Sequence, residues 1–362
     1  MIYFLAHWDW ILERSRADIV TNIEDEFQIT SICPLEENNE KIQKTYSNSI
    51  NWNISREKTL DLFGLINLTK ILKNINSNDI LHIFTLKSLF LYILATLFAQ
   101  KQYKVVASIT GLGFLFAGTK LANFLKIIIK PIIKLRINKV VDVLIFQNNS
   151  NMEQFLTYSN FKNKTTLLEG SGLNTKKIKI KHELNNPVKI IFVGRLLVEK
   201  GIKEYLKLVE IFSGKEKTKF FIAGKPDFGN KSSVSEKKFL EIKNNPNINY
   251  LGEIDVYSEL YKYDILIQPS YHEGFSRIFL EGIYSGLLCI VNDLPGTISI
   301  AEKTRSGILI SNNNVIEYAT EIENYHSNYL NQNFEYARDI IDKLYSVNAI
   351  SEKLKEIYYE LS

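Results

Sequence analysis

The sequence contains few cysteines and lacks a hydrophobic run long enough to cross a membrane. Its two cysteines, Cys33 and Cys289, lie far apart and fit neither a disulfide framework nor a zinc site, which is typical of a reducing compartment. The longest apolar stretch, residues 89–99, covers about half of the ~20 residues that a membrane-spanning helix needs. The first residues also lack the basic start and long apolar middle of a signal peptide. We therefore expect a cytoplasmic protein.

A strong net charge is also missing, although the charge is unevenly distributed. Lys and Arg number 44 against 40 Asp and Glu, so the net charge of +4 is too small for a protein that binds polyanions along its whole surface. Residues 1–186 nevertheless sum to +7 and residues 187–362 to −3. Residues 101–141 alone contain eight Lys or Arg and no acid. The sequence therefore predicts one localised basic surface.

The length and the hydrophobic pattern predict two α/β domains. A chain of 362 residues exceeds the ~100–200 residues of a typical domain. Short β-rich runs alternate with helical segments in two successive series, which predicts right-handed βαβ units around parallel sheets. The predicted strands of the first series are 2–6, 27–32, 79–84, 104–109, 141–146 and 166–168, with helices at 59–73, 86–100 and 114–138. Those of the second series are 188–193, 219–223, 247–251, 264–268, 287–291 and 307–310.

The predicted domain boundaries follow from where the alternation restarts. We expect an N-terminal domain at residues 1–186, a C-terminal domain at 187–330, and a polar helical tail at 331–362 that packs back toward the first domain. Two such domains leave a cleft between the carboxyl ends of their sheets, where folds of this kind bind ligands.

The first candidate motif begins at Gly194, directly after the first strand of the second domain. A glycine at this position lets a ligand approach the backbone closely. Arg195 and Lys200, five residues apart at the carboxyl edge of a sheet, can bracket a diphosphate from two sides. The alternative is a solvated turn in which both cations pair with Glu199 and Glu204.

The second candidate motif runs from Pro269 to Glu281 and follows another predicted strand. Its loop leads into a helix whose N-terminal N–H groups are suited to bind phosphate. Two acids, Glu273 and Glu281, would repel that phosphate unless they accepted hydrogen bonds from neutral hydroxyls, such as those of a sugar. The alternative is a pair of surface carboxylates with no role.

In this order, the two motifs resemble the C-terminal domain of the nucleotide-sugar glycosyltransferases of family 4. That family has the GT-B fold, in which two Rossmann-like parallel α/β domains face each other across a cleft. The resemblance covers about residues 188–310. The segments that carry it are Gly194-Arg195, Lys200-Gly201, Tyr250-Leu251-Gly252, Pro269-Ser270, Glu273-Gly274-Phe275 and Glu281.

The resemblance implies a UDP-sugar as the sugar donor and assigns roles to these residues. It implies Arg195 and Lys200 on the diphosphate, Glu273 on hydroxyls of the transferred sugar, and Glu281 on the ribose hydroxyls. It also implies that backbone near these residues covers the nucleotide. The residues concerned are Gly194, Gly274, Phe275, Ser276 and Ile278 near the phosphates, and Glu253 and Ile254 near the base.

The chain also departs from the family pattern. The family often has Gly where Ser276 stands, Ala where Gly282 stands and Pro where Leu288 stands. Ser299 stands at the position where the family usually has a glutamate. These departures leave the identity of the sugar open.

The N-terminal domain is similar to a branch of family 4 that extends polyprenyl-diphosphate-linked saccharides. The glycines around residue 111 do not form the G-x-G-x-x-G fingerprint of a dinucleotide-binding domain, which argues against a dehydrogenase. The similarity implies acceptor contacts at Thr85, Lys87, Gly111 and Gly113. Two histidines, His7 and His82, are candidates to approach the reacting sugar, although a packed or solvated histidine is the more common role.

Three lysines, Lys126, Lys130 and Lys134, recur every four residues in the basic segment and form a stripe on the predicted helix. An apolar, basic helix without acids favours contact with anionic lipid headgroups, each cation contributing ~1 kcal/mol near the surface. The alternative is a buried helix whose lysines extend to water. Nucleic-acid binding is disfavoured because no exposed aromatics are interleaved for stacking. Pro131 should kink this helix.

The sequence contains no Asp-x-Asp triplet after a strand that would hold a metal on the diphosphate, and we expect no metal or other cofactor. Arg195, Lys200 and a helix N-terminus would then stabilise the charge on the departing UDP. The family resemblance implies transfer of a hexose or N-acetylhexosamine with retention at the anomeric carbon.

The expected function is therefore synthesis of a bacterial surface polysaccharide, such as an O-antigen, lipopolysaccharide or capsule, at the inner face of the cell membrane. Two alternatives stay open at this point. One is a GT-B epimerase or hydrolase that acts on a UDP-sugar without an acceptor, and the other is a protein that binds nucleotide sugars without catalysis.

Overall fold

The computed structural model describes residues 1–36, 39–56, 58, 60–99, 101–112 and 120–362. These residues form two units. Unit 1 comprises Met1–Gly172 together with Val347–Ser362, and unit 2 comprises Leu173–Ser346. The chain therefore leaves unit 1 at Gly172, and the boundary predicted at residue 186 lies inside unit 2.

Unit 1 is built on a parallel sheet of seven strands in the order β3-β2-β1-β4-β5-β6-β7. The strands are β1 (Ile2–Leu5), β2 (Ile29–Cys33), β3 (Asn48–Asn51), β4 (Ile80–Phe84), β5 (Lys104–Ile109), β6 (Val143–Phe146) and β7 (Lys164–Leu167). The helices are α1 (Asp9–Ile23), α2 (Asn39–Thr45), α3 (Leu62–Leu72), α4 (Leu86–Ala95), α5 (Lys120–Val140) and α6 (Asn149–Ser159).

Helices cover both faces of the unit 1 sheet. Successive residues of each strand point to opposite faces, so each strand contributes to two cores. In β4, Leu81 and Ile83 pack into the core beneath α3, α4, α5 and α6. Ile80 and Phe84 pack into a second core beneath α1 and the last helix of the chain. Both faces are apolar, which is why these strands are continuous hydrophobic runs in the sequence.

Unit 2 is built on a parallel sheet of six strands in the order β10-β9-β8-β11-β12-β13. The strands are β8 (Val188–Val193), β9 (Thr218–Ala223), β10 (Ile248–Gly252), β11 (Ile265–Gln268), β12 (Leu288–Asn292) and β13 (Ile308–Ile310). The helices are α7 (Ile202–Ile211), α8 (Glu236–Lys243), α9 (Val256–Glu259), α10 (Arg277–Ser285), α11 (Pro295–Thr304), α12 (Val315–Glu323), α13 (Tyr325–Leu330) and α14 (Phe334–Tyr345). These helices also cover both faces of the sheet.

The predicted helical tail is divided between the units. Helix α14 packs on α10 and α11 of unit 2, whereas α15 (Val347–Leu361) packs against α1 of unit 1. Three apolar residues of α15 are buried in the second core of unit 1: Ile350, Leu354 and Ile357. The tail is therefore not a separate segment at 331–362, because each helix completes the core of a different unit.

Two further comparisons with the predicted elements concern unit 1. Strand β3 was not predicted because its residues are polar and only partly buried at the edge of the sheet. Helix α5 continues through Pro131 to Val140. Within the described residues, none of the helices combines the length and the apolarity that a membrane span requires.

Candidate functional site

Both motifs of unit 2 begin at the point where the order of its sheet reverses. Strands β8 and β11 are neighbours, with Ile190 paired to Ile265 and Ile191 to Leu266, although the helices after them lead to opposite edges of the sheet. In open α/β sheets, ligands bind outside the carboxyl ends of the two strands at such a switch point. The first motif follows β8 and the second follows β11, so the fold brings together two segments that are about 75 residues apart.

The loops after β8 and β11 pack against each other through a glycine. Gly201 has a φ of +80°, and a Cβ atom there would lie 2.0 Å from the carbonyl oxygen of Pro269. The Tyr271 N–H also donates to the Glu199 carbonyl oxygen, at 2.9 Å. Only glycine combines this conformation with this close approach. The lysine before it is therefore held beside the second motif.

Lys200 and Glu273 form an ion pair that links the two motifs. The Lys200 Nζ atom lies 2.6 Å from Glu273 Oε1. The same oxygen accepts hydrogen bonds from Gln268 Nε2 and Ser270 Oγ, both at 3.0 Å. Pairing of Lys200 with Glu204, the alternative suggested by the sequence, is not observed, since Glu204 approaches Lys207 instead. A cation and an acid with separate predicted roles are thus brought into contact.

Arg195 pairs with an acid that the sequence analysis did not select. Its guanidinium lies 2.7 Å from Asp227 in the loop after β9. That loop is joined to the first motif by backbone hydrogen bonds, from Val198 N–H to the Ser232 carbonyl and from Val234 N–H to the Leu196 carbonyl. A charged residue just beyond a parallel strand was the available sequence signal for Asp227.

Another glycine, Gly224, brings three strand ends together and was not selected in the sequence analysis. Gly224 follows β9, and a Cβ atom there would lie 1.9 Å from the carbonyl oxygen of Gly194. The Gly224 N–H donates to the Gly252 carbonyl at the end of β10. The backbone around Gly194, directly before Arg195, is therefore packed closely by the ends of two neighbouring strands.

Helix α10 begins within the second motif, at Arg277. Ser276 caps it by accepting a hydrogen bond from Phe279 N–H. The start of α11 packs on the preceding loop, because a Cβ atom at Gly296 would lie 2.7 Å from the carbonyl oxygen of Gly274. The N-terminal N–H groups of α10 carry a partial positive charge that favours phosphate. They lie in the same motif as Glu273.

Glu281 is buried one turn into α10 and is paired within the helix. Arg277 Nε donates to Glu281 Oε1 at 2.9 Å, and another nitrogen of the same guanidinium donates to the Tyr257 hydroxyl of α9. Sequence analysis selected neither Arg277 nor Tyr257. Arg277 stands four residues before Glu281 in a predicted helix, and this spacing was the available signal.

Other predicted donor-site residues contribute to the packing of unit 2. The rings of Phe275 and Tyr345 contact each other at an angle of 50°, with centroids 5.3 Å apart. Ile254 and Ile278 are partly buried and pack against the core that contains α10. Gly282 departs from the family's alanine, and a Cβ atom there would lie 2.6 Å from the sulfur of Cys289. Cys289 therefore occupies the space that an alanine would need.

The corresponding switch point of unit 1 lies between β1 and β4. His7 follows β1, and its Nδ1 lies 3.1 Å from Ser88 Oγ and 3.1 Å from Thr85 Oγ1. Burial, with the charges of Lys87 and Arg56, lowers the pKa of His7 to about 3, so its imidazole is neutral. Thr85 has a φ of +79°, which is strained for a β-branched residue and typical of functional sites.

A basic and aromatic cluster borders this histidine. Lys87 donates to the backbone carbonyls of Ser55 and Arg56, and burial lowers its pKa to about 8. The Arg56 guanidinium lies 3.7 Å above the Trp8 ring, and Trp8 stacks on Trp10. Sequence analysis assigned no role to Arg56 or to the two tryptophans.

The remaining residues predicted on the acceptor side differ in where they lie in unit 1. Gly111 is partly exposed at the end of the β5 segment, whereas Gly113 lies outside the described residues. His82 is fully buried, with its ring nitrogens 2.6 Å from the Tyr358 hydroxyl and 2.7 Å from Ser108 Oγ. This histidine is a packed core residue, in agreement with the more common role weighed for it.

The basic stripe of α5 borders a buried apolar face. Ile133 and Ile137 are packed in the core of unit 1. Lys130 and Lys134 are exposed and Lys126 is partly exposed. One side of the helix therefore completes the core, and the lysines next to that side reach solvent.

Comparisons with known proteins agree with the division of the chain into two units. A family model described as "Glycosyl transferase 4-like" matches residues 2–167, and one described as "Glycosyl transferases group 1" matches residues 174–345. The first match corresponds to the N-terminal part of unit 1 and the second to unit 2, whereas α15 lies outside both matches. Together they span nearly the whole chain.

Relatives and solved structures give the same picture. The chain is 28% identical over 342 residues, 89% of this chain and 88% of the relative, to an N,N'-diacetylbacillosaminyl-diphospho-undecaprenol alpha-1,3-N-acetylgalactosaminyltransferase of Campylobacter jejuni. It is 24% identical to the capsular polysaccharide biosynthesis glycosyltransferase CapM of Staphylococcus aureus over 42% of this chain and 40% of CapM. The crystal structure of Anabaena Alr3699/HepE in complex with UDP and glucose superposes with a TM-score of 0.78 at 15% identity, covering 99% of both chains.

Proposed function

We propose a reaction for this chain from its family. The chain belongs to the glycosyltransferases of family 4, because a glycosyl transferase 4-like model and a group 1 model match its two units in order. Its fold is that of the GT-B enzymes. We propose that it transfers a hexose or an N-acetylhexosamine from a UDP-sugar to a polyprenyl-diphosphate-linked saccharide, with retention of anomeric configuration. The observation that carries this proposal is the contact between Lys200 and Glu273 at the switch point of unit 2.

The sugar donor would bind at the carboxyl edge of the unit 2 sheet. An ammonium group has three N–H donors, so Lys200 can hold Glu273 and a phosphate oxygen at the same time. Arg195 supplies a second cation, and the N-terminus of α10 supplies N–H groups. The solved relative that contains UDP and glucose supports this class of ligand. We assign Glu273 to the hydroxyls of the transferred sugar and Glu281 to those of the ribose.

The chemical step follows from these charges. Negative charge develops on the diphosphate as its bond to the sugar breaks, and fixed positive groups at that position stabilise the transition state. We propose that Arg195, Lys200 and the α10 N-terminus supply this stabilisation without a resident metal. The acceptor hydroxyl would attack on the face from which the diphosphate departs, which retains the anomeric configuration.

The acceptor would be bound by unit 1. The C. jejuni relative is named for a diphospho-undecaprenol-linked acceptor and aligns over most of both chains, which supports a lipid-linked saccharide. A neutral His7 can exchange hydrogen bonds with sugar hydroxyls, and the strained Thr85 beside it is held at the same sheet edge. We also assign Lys87 and Gly111 to the acceptor side. The likeness to CapM supports a role in surface polysaccharide biosynthesis.

We further propose that the enzyme works at the cytoplasmic face of an anionic membrane. A polyprenyl substrate is confined to the bilayer, so an enzyme that meets it there benefits from a basic surface. Lys130 and Lys134 are exposed on α5, and Lys126 is partly exposed. Each cation near an anionic surface contributes about 1 kcal/mol.

One experiment separates the proposed reaction from its alternatives. The protein is incubated with UDP-glucose, UDP-galactose, UDP-N-acetylglucosamine and UDP-N-acetylgalactosamine, with and without a detergent-solubilised polyprenyl-diphosphate saccharide. Release of UDP that depends on the acceptor supports the transferase. Turnover without acceptor would indicate an epimerase or hydrolase, and binding without turnover a non-catalytic protein.

Two substitutions connect that activity to the site. We expect Arg195→Ala and Glu281→Ala each to abolish UDP binding or transfer. Lys207→Ala, which removes an exposed cation from α7, is the matched control and should leave both unchanged. Full activity in both site variants would contradict the location of the donor site.

A further inference from the structure

Gln268 is a polar side chain at the end of an otherwise apolar strand. Strand β11 reads Ile-Leu-Ile-Gln, and all four residues are buried. A buried amide destabilises a protein unless its hydrogen bonds are made. Here both ends of the amide are bonded, and both partners belong to the second motif.

The hydrogen bonds of Gln268 determine which way its amide points. Its Nε2 donates to Glu273 Oε1 at 3.0 Å, and its Oε1 accepts from Ser276 Oγ at 2.5 Å. A carboxylate oxygen can only accept, so the amide nitrogen must face Glu273. The hydroxyl of Ser276 then donates to Gln268 while its oxygen accepts from Phe279 N–H. Gln268 therefore connects the carboxylate of Glu273 to the cap of helix α10.

This arrangement saturates one oxygen of Glu273. A carboxylate has about four lone-pair sites on its two oxygens. Lys200, Gln268 and Ser270 all donate to Oε1. A further hydroxyl donor would therefore be directed to Oε2, and the plane of the carboxylate would be fixed before a sugar arrives.

We propose that Gln268 is a positioning residue for sugar transfer, which orients Glu273 toward the hydroxyls of the donor sugar. The inference rests on the proposed function, because it assumes that Glu273 contacts the sugar. It goes beyond that function because Gln268 does not contact the substrate itself. Gln268 instead orients Glu273, which does.

The first test separates binding of the nucleotide from reaction of the sugar. Gln268→Met keeps the volume and removes both hydrogen bonds. We expect kcat/KM, measured with the most active of the four UDP-sugars and the solubilised acceptor, to fall about 10- to 100-fold, the loss expected for a hydrogen bond to a charged group. The Kd of UDP, measured by calorimetry, should change less than twofold, since UDP has no sugar for Glu273 to contact.

The second test uses the pH dependence of a conservative variant. In Gln268→Glu, a neutral carboxylic acid can donate to Glu273 and accept from Ser276 as the amide does, whereas a carboxylate repels Glu273. We expect the activity of this variant relative to wild type to rise as the pH is lowered from 8 to 5.5. Gln332→Glu is the matched control, because Gln332 makes backbone hydrogen bonds elsewhere in unit 2 and should show a constant ratio.

The outcomes distinguish the inference from its premise. A parallel loss of UDP binding and activity in Gln268→Met, or a pH-independent ratio in Gln268→Glu, would overturn the positioning role while leaving the glycosyltransferase intact. A wild-type protein that neither binds UDP nor releases it from any sugar donor would overturn the proposed function, and this inference with it.

Discussion

At the scale of single residues, the charged groups of unit 2 are held by partners from distant parts of the chain. Arg195 is 32 residues from Asp227, and Lys200 is 73 residues from Glu273. Arg277 is a different case, because its partner Glu281 lies on the same helix. A cation in the first turn of a helix is unfavourable to the helix dipole. Its contacts with Glu281 and Tyr257 explain why it is tolerated there.

This geometry predicts that Arg277 affects recognition of the ribose. If Glu281 binds the ribose hydroxyls, wild type should prefer UDP over 2′-deoxy-UDP by the value of one hydrogen bond to a charged group, about 1.5–3 kcal/mol. Arg277→Met should reduce that preference at least threefold, because Glu281 loses its fixed orientation. Calorimetry with both nucleotides measures the ratio. Lys207→Met is the control, and an unchanged ratio in Arg277→Met would contradict the prediction.

At the scale of elements, the last helix completes the core of unit 1. Tyr358 of α15 is fully buried and its hydroxyl lies 2.6 Å from His82 of β4. Burial and the nearby charge of Arg16 hold the pKa of His82 well below its usual 6.5. The helix is therefore docked on a histidine that must stay neutral.

The histidine makes the stability of the protein depend on pH. Below pH 6.5 the unfolded chain binds a proton at residue 82 and the folded chain does not, so stability falls as the pH falls. The slope for one such group is about 1.4 kcal/mol per pH unit. In His82→Gln the glutamine at position 82 does not titrate. The variant's free energy of unfolding is expected to be lower than that of wild type, and this difference should become smaller as the pH is lowered from 7.5 to 5.

Urea unfolding at the two pH values measures this change. His326→Gln, which replaces an exposed histidine of α13, is the control and should keep a constant difference from wild type. A difference between His82→Gln and wild type that stays the same at both pH values would show that protonation of His82 does not contribute.

At the scale of the molecule, helices α3, α4 and α5 pack on one side of the unit 1 sheet and form what we call the α3–α5 layer. Residues 62–141, which include α3, α4 and α5, contain eleven Lys or Arg and one acid, Asp79. In the described part of this layer, several large apolar side chains are exposed as well: Leu62, Phe63, Ile66, Leu97, Phe98, Ile127 and Leu135. Phe63 is 83% exposed on a helix fixed by the hydrogen bond from Trp52 to the Gly64 carbonyl. Exposed apolar groups among cations are typical of proteins that bind at a membrane interface.

The proposed membrane contact predicts two separable contributions to vesicle binding. Replacing Lys130 and Lys134 by Gln should weaken binding to phosphatidylglycerol-containing vesicles about tenfold or more at low salt, and the effect should shrink as salt rises. Replacing Phe63 and Ile66 by Ser should weaken binding at all salt concentrations, because apolar burial is not screened. Flotation assays measure both.

Two controls from unit 2 accompany this experiment. Leu330→Ser removes an apolar side chain that is 80% exposed, and Lys237→Gln with Lys238→Gln removes two exposed cations. These variants should bind vesicles as wild type does. Equal weakening by control and test variants would show that the α3–α5 layer is not the membrane surface.

The sequence by itself determined the fold class and the order of the motifs. Parallel strands that are buried on both faces must be continuous apolar runs, so β8 was predicted at its observed bounds, Val188–Val193. The glycines and charged residues directly after such strands also mark a ligand-binding edge without further information. Arg195, Lys200 and Glu273 were selected as candidates in this way, and Glu281 as a second acid in the helix that follows.

Only the tertiary structure decided which side chains contact each other. The pairing of Lys200 with Glu273, and of Arg195 with Asp227, depends on the sheet order, which places β8 next to β11 and β9. The same is true of α15, whose assignment to unit 1 rests on apolar contacts that sequence periodicity cannot direct to one core or another. Local pattern specifies which face of an element is buried, whereas long-range packing specifies its partner.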